Sequence, residues 1–277
     1  MMSRRSVLMG AVCSCGAALL PGMSTGQDEA VYICSSIDPG GQLTLAGSGV
    51  GRRIALKSTA GVTTFQLTNF GLSATQNRWR DYDGLTPDTG VITLGVHFVN
   101  GSRADHAMVE RGASAWLVGG LERRLAFRFG VSKETCQIGV LFTTGVNDSL
   151  NGRLSQAAAR RTHSMRISDR ADHIVTHEFG HALTLKHEHQ HPDAPIVWNK
   201  PQVLADMSGI LTPAQVKSNI FDRLSRNLVC ATSSGFDKPS IMQYGIPARW
   251  TTNGFSSRQS TGISQGDIAC LAGVYGA

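Results

Sequence analysis

A chain of 277 residues, 41% hydrophobic and 17% charged, is long enough to bury a full core in one or two domains, and its composition excludes a disordered or collagen-like protein. The formal charge of +6 falls to +4 once Arg4 and Arg5 are removed with the leader described below. The basic clusters at 122–128 and 159–170 lack the regular aromatic interleaving of a single-strand binder, so a solvated basic face is expected and nucleic-acid binding is not.

Residues 1–26, "MMSRRSVLMGAVCSCGAALLPGMSTG", join a basic start to an apolar run from Val7 to Leu20. That run falls short of the ~20 apolar residues a bilayer span needs and reads as a signal peptide, removed near residues 24–30. "SRRSVLM" resembles a twin-arginine signal, so an exported protein, secreted or periplasmic, is expected. Lipidation at Cys15 is disfavoured because Cys13 sits where a small or branched aliphatic residue is needed. With no other span, no stable membrane association is expected. Four cysteines survive the cleavage, and none forms a C-x-x-C pair. In an exported chain they read as two disulfides, Cys230–Cys270 with Cys34–Cys136.

Residues 27–87 show β-like runs and glycines with little helical periodicity, and read as a propeptide or N-terminal extension. "GLTPDTG" (84–90) is a turn, and a catalytic domain is expected over 88–277. "VITLGVHFV" (91–99) is a strand by its β-branched content. A helix follows, N-capped by Ser102, with Ala107, Val109, Ala113, Trp116 and Leu117 near helical spacing. "RLAFRFG" and "QIGVLFTTG" are two further strands, and "THSMRIS" (162–168) a short one. A helix starting at Ser168 or Asp169 then runs through "ADHIVTHEFGHALTL". Beyond His187 the pattern is mostly irregular until "SQGDIACLAGVYG", a final helix N-capped by Ser264 or Asp267. The whole describes an α+β fold.

The chemistry concentrates in "HEFGHALTLKHEH", residues 177–189. His177 and His181 are four apart, so on a helix they share a face and can share one ion. Glu178, one step round, can reach the ion's open side without ligating it. Catalytic zinc keeps three protein ligands and one open position. His187 can be the third only if the helix ends and the chain folds back before it. His189 and His191 lie past that ligand, in solvated or supporting roles.

H-E-x-x-H-x-x-x-x-x-H followed by "SIMQYG" (240–245) resembles the pattern of the metzincin zinc endopeptidases, with the closest match to the astacin group. "HEFGHALTLKHEHQHPD" is similar to that group's zinc helix, Glu188 included, and "SIMQYG" to its methionine turn. The resemblance covers roughly 88–277. It implies a metzincin-type domain: a twisted mixed sheet and zinc helix in an upper lobe, and an irregular lower lobe with methionine turn and C-terminal helix. It further implies that His177, His181 and His187 hold one Zn2+ per chain and that Glu178 is the general base. Tyr244 would stabilise the oxyanion, and Met242 would pack beneath the metal. The implied partner is a polypeptide bound extended along an edge strand, expected at "THSMRIS", to a monomeric protein. Two alternatives stay open: an inactive zinc-stabilised peptide-binding protein, and a zinc hydrolase acting on a non-protein or cell-wall peptide substrate. Latency through Cys34, Asp81, Asp83 or Asp88 capping the metal competes with disulfide, turn and surface roles for those residues. The departure from the family is Thr184, where glycine is usual. Either the backbone turns there with negative φ, or the site is strained or looser.

Overall fold

The computed structural model describes residues 35–37 (backbone only), 77–80, 83 and 90–277, apart from 227–228 and 231–234. All belong to one unit, Val31–Ala277. Six strands form one sheet: β1 (Ser35–Ile37), β2 (Ile92–Phe98), β3 (Leu125–Phe129), β4 (Ile138–Phe142), β5 (Asp148–Leu150) and β6 (Met165–Ile167), in the order β1-β5-β6-β4-β2-β3. Every neighbouring pair is parallel except β5 and β6. Fully buried Leu94 and Val96 on β2, Val140 on β4, and Met165 and Ile167 on β6 make the sheet centre. Near-continuous apolar strands are what a sheet covered on both faces requires.

Helix α1 (Arg103–Ser114) begins as expected at Ser102, whose hydroxyl accepts from the Asp105 N–H while the Asp105 carboxylate accepts from the Ser102 N–H. This reciprocal cap satisfies two of the backbone donors a helix start leaves open. α1 packs on α3 (Asp172–Ala182) at a glycine. A Cβ on Gly112 would meet the Val175 side chain at 2.6 Å. Beyond α1, buried Trp116 donates its indole N–H to the Thr176 carbonyl at 2.9 Å. These contacts set the zinc-motif helix against the sheet.

Two upper-lobe elements have no counterpart in the sequence reading, the antiparallel strand β5 and the helix α2 (Ser155–Arg161). β5 displaces the expected edge strand. β6, within the 162–168 segment, is flanked on both sides by β4 and β5. Asp148 on β5 stands opposite Arg166 on β6 in the register, and the two form a buried ion pair. β5 is therefore the antiparallel strand outside β6, and β1 lies parallel along its other side.

Residues 77–80 pack into the same core. Trp79 is 1% exposed and donates its indole N–H to the Ala182 carbonyl at 2.8 Å, and Arg78 reaches the Val274 carbonyl. Asp83 closes a turn by accepting from the Arg80 N–H, while Cys34, Asp81 and Asp88 lie outside the described residues.

The lower lobe has its own core, built from Val203, Met207, Val216, Ile220, Tyr244, Ile246 and Trp250. Two short helices, α4 (Lys200–Asp206) and α5 (Pro213–Val216), occupy what reads as irregular chain, and α5 runs into a π-turn at Lys217–Phe221. Thr212 caps α5 reciprocally with Gln215, followed by Pro213 at the first helical position. The final helix α6 (Gln265–Tyr275) is capped by Ser264 and Asp267 together. Cys230–Cys270 is a disulfide, as expected, and ties α6 to the chain preceding the methionine turn. Cys136 instead keeps a buried free thiol that donates to the Lys133 carbonyl, so the pairing expected for it is not formed.

Candidate metal centre and active site

Helix α3 carries His177, Glu178 and His181, all fully buried. It starts at Asp172, later than expected, because Ser168 and Asp169 are engaged elsewhere. Their N–H groups donate to the Asn147 side-chain oxygen at 2.7 and 3.0 Å. It ends after Ala182 in two bonds: the Thr184 N–H to the His181 carbonyl, and the Leu185 N–H to the Gly180 carbonyl, each 2.8 Å. This is the Schellman pattern, whose first residue past the cap adopts left-handed backbone. Thr184 does so with φ 91°, the single non-glycine residue with positive φ among the described residues. The expected alternative of a negative φ is not the one found, and the left-handed turn brings the chain back to deliver His187.

The three imidazoles converge, with one ligand nitrogen from each within 4.8 Å of the others. His181 Nε2 stands 3.1 Å from His187 Nε2. His177 Nδ1–H donates to the Ile241 carbonyl and His181 Nδ1–H to the Leu185 carbonyl, both at 2.8 Å. A carbonyl can only accept, so in both neutral rings Nε2 carries the lone pair. Burial pushes His177 down to about 4. It holds His181 and His187 well below the ordinary imidazole value, with neighbouring imidazoles adding to the effect. Neutral buried rings with converging lone pairs are what a zinc ion requires. Two ligands at ~2.0–2.1 Å on a tetrahedral ion stand roughly 3.3 Å apart, close to the separation between His181 and His187. The residues fit the group.

Met242 packs against the helix at Gly180, where a Cβ would meet its sulfur at 2.5 Å. Tyr244, 1% exposed, has its ring centroid 4.4 Å from that of His187.

No protein-family model matches the chain, and no curated protein matches it. Solved structures do. A structure of myroilysin is 28% identical with TM-score 0.64, covering 74% of this chain and 98% of that one. A crystal structure of myroilysin is also 28% identical, with TM-score 0.52, covering 73% and 86%. High choriolytic enzyme 1, a hatching-enzyme zinc protease of the medaka Oryzias latipes, is 19% identical with TM-score 0.53, covering 76% and 100%. The fold is astacin-like, and the zinc motif and methionine turn are similar to those of that group.

In this astacin-like chain the methionine turn is held from α6. The buried Asp267 carboxylate accepts from the Ser240 hydroxyl at 2.6 Å and the Ile241 N–H at 2.9 Å. The same Ile241 supplies the carbonyl that orients His177, so α6, the turn and the first histidine form one chain of contacts. Asp267 was legible only as a cap; its grip on the turn depends on tertiary approach. Glu188 accepts from the Asp237 N–H, and burial pushes its carboxyl up to about 8. It lines a recess with His187, Asp237, Met242 and Asp267. His189 and His191 are not solvated: they are 1% and 6% exposed.

Proposed function

We propose that this chain is an exported zinc-dependent endopeptidase. His177, His181 and His187 hold one zinc ion per chain, Glu178 is the general base, and Tyr244 is the oxyanion donor. The observation that carries the reading is the convergence of three buried, neutral imidazoles beside Glu178, reached through the reversal at Thr184. A zinc ion there would supply Lewis acidity toward water and a peptide carbonyl. The Glu178 carboxylate takes a proton from the attacking water and returns it to the leaving amine. Tyr244, beside the third histidine, offers a phenol O–H to the oxygen on which negative charge develops, where a preorganised donor acts most strongly.

The polypeptide lies extended along β5, the antiparallel strand outside β6, by β-strand addition. Because β1 runs along that same strand, it must leave before a substrate can add, which makes 35–37 part of a removable extension. Trp79 cannot leave with it, since it supplies a donor to the end of the zinc-motif helix. Maturation therefore cuts between residues 38 and 76. The mature protein is a secreted or periplasmic monomer.

The test compares wild type, Glu178→Gln and His187→Ala by zinc analysis and casein clearing, with and without chelator. Glu178→Gln keeps about one zinc and loses nearly all turnover; His187→Ala loses most of the metal. Equal turnover by wild type and Glu178→Gln would refute the assigned base. Tight zinc binding with no cleavage of any peptide would leave a binding protein instead.

A further inference from the structure

His189 follows the third histidine by two residues and is not among the converging ligands. Its ring nevertheless sits at the centre of an aromatic group. It stacks on Tyr244 at 4.2 Å between centroids with a 28° tilt, lies 5.3 Å from His187 at 25°, and meets Trp198 edge-on at 6.2 Å. Its Nε2–H donates to the Asn219 carbonyl at 2.8 Å. That carbonyl belongs to the π-turn Lys217–Phe221, an irregularity frequent at functional sites because it frees backbone groups from the helical ladder. The neighbouring Gln190 amide donates to the carbonyls of Ser218, in the same turn, and Asp222, just after it, at 2.8 and 3.0 Å. Two successive side chains after the third ligand are thus anchored to one piece of lower-lobe backbone.

We infer that His189 is a positioning residue for Tyr244: its imidazole, held by the Asn219 carbonyl, is the surface against which the phenol ring rests. The inference rests on the proposed role of Tyr244 as oxyanion donor. A phenol that must present its hydroxyl to a developing charge gains from having its ring plane fixed beforehand. His189, stacked on the Tyr244 ring, and His187, tilted against it at 52°, together confine that plane.

The test uses His189→Gln, which keeps an N–H for the Asn219 carbonyl but has no ring, and His189→Phe, which keeps the ring but has no donor. Each is made in wild-type and Tyr244→Phe backgrounds. His189→Gln should lower kcat by several-fold to about tenfold, with KM within about twofold and zinc content unchanged, and His189→Phe should recover most of the loss. In the Tyr244→Phe background His189→Gln should cost nothing further. A loss that persists undiminished in that background, or one that tracks zinc content, overturns the inference. If Tyr244→Phe itself leaves turnover intact while Glu178→Gln abolishes it, the positioning role fails and the endopeptidase reading stands. If the wild-type protein cuts nothing, crystal structures decide. A Tyr244 ring displaced in His189→Gln and unmoved in His189→Phe supports the role, and a ring unmoved in both refutes it.

Discussion

Replacing Thr184 by glycine and, separately, by alanine isolates the strain in the turn that returns His187. Both substitutions discard the same buried threonine methyl, which lies so close to Gly152 that a Cβ there would meet it at 2.5 Å. That loss is common to the two variants, at roughly 1 kcal/mol for the methyl, and glycine also gives up the buried Cβ, at roughly 0.8 kcal/mol. The rest of the difference is conformational. At φ 91° alanine retains a left-handed penalty of roughly 1–2 kcal/mol that glycine escapes. Glycine in turn adds roughly 0.4–1 kcal/mol of unfolded-chain entropy. The two contributions nearly offset, so the two variants should agree to within about 1 kcal/mol. At a position with negative φ alanine would lead by roughly 1–2 kcal/mol, from entropy and Cβ burial together. Urea unfolding of the zinc-free proteins, with equal slopes, reads the difference. Alanine ahead of glycine by more than about 1 kcal/mol would show that Thr184 is unstrained and that the return of His187 rests on something else.

Trp79→Ala should cost about 3–5 kcal/mol and weaken zinc binding, and a chain starting at residue 88 should fail to give a cooperative thermal transition. Gly180→Ala forces a Cβ onto the Met242 sulfur. It should lower stability by about 1–3 kcal/mol, relieved in part by Met242→Ala, as thermal melts of the double variant would show. Arg166→Met leaves the Asp148 carboxylate buried without its ion-pair partner; a loss of about 3–5 kcal/mol is expected, and restoration toward wild type in Arg166→Met with Asp148→Leu. Burial pushes His177 to about 4 and His189 to about 3, below the ordinary value of 6.5. In the zinc-free protein the unfolded chain then binds more protons than the folded one below pH 6.5. Stability should accordingly be flat above pH 6.5 with respect to these groups and fall as pH drops toward 4, measured by urea midpoints across that range.

The zinc motif was legible because helix geometry alone places residues four apart on one face, and because a third ligand six residues on demands a reversal. Ser102 was legible as a cap because it stands just before a helical repeat, whereas Ser264 and Asp267 were legible only as alternatives, and the structure uses both together. What escaped was set by contacts distant in sequence. β5 is three residues, too short for any periodicity, and its place depends on Asp148 meeting Arg166. His189 looks like a surface histidine until Trp198, Tyr244 and a π-turn 30 residues away close over it. Ser168 and Asp169 looked like the start of the helix because the competing acceptor, Asn147, sits 21 and 22 residues upstream.

The same distant contacts explain why thirteen residues carry the chemistry but cannot supply the site. His177 is oriented by the methionine turn, His181 by the return segment at Leu185, and the end of their helix by Trp79, about a hundred residues upstream. Each of those backbone groups is held in turn by another part of the core: Ile241 by Asp267 of α6, Leu185 by the reversal at Thr184, Trp79 by its burial. Ligand geometry is then a property of the packed domain rather than of the motif. That is why an unfavourable residue at position 184 can be retained: the cost of one left-handed threonine is small beside the contacts that fix where His181 and His187 must lie.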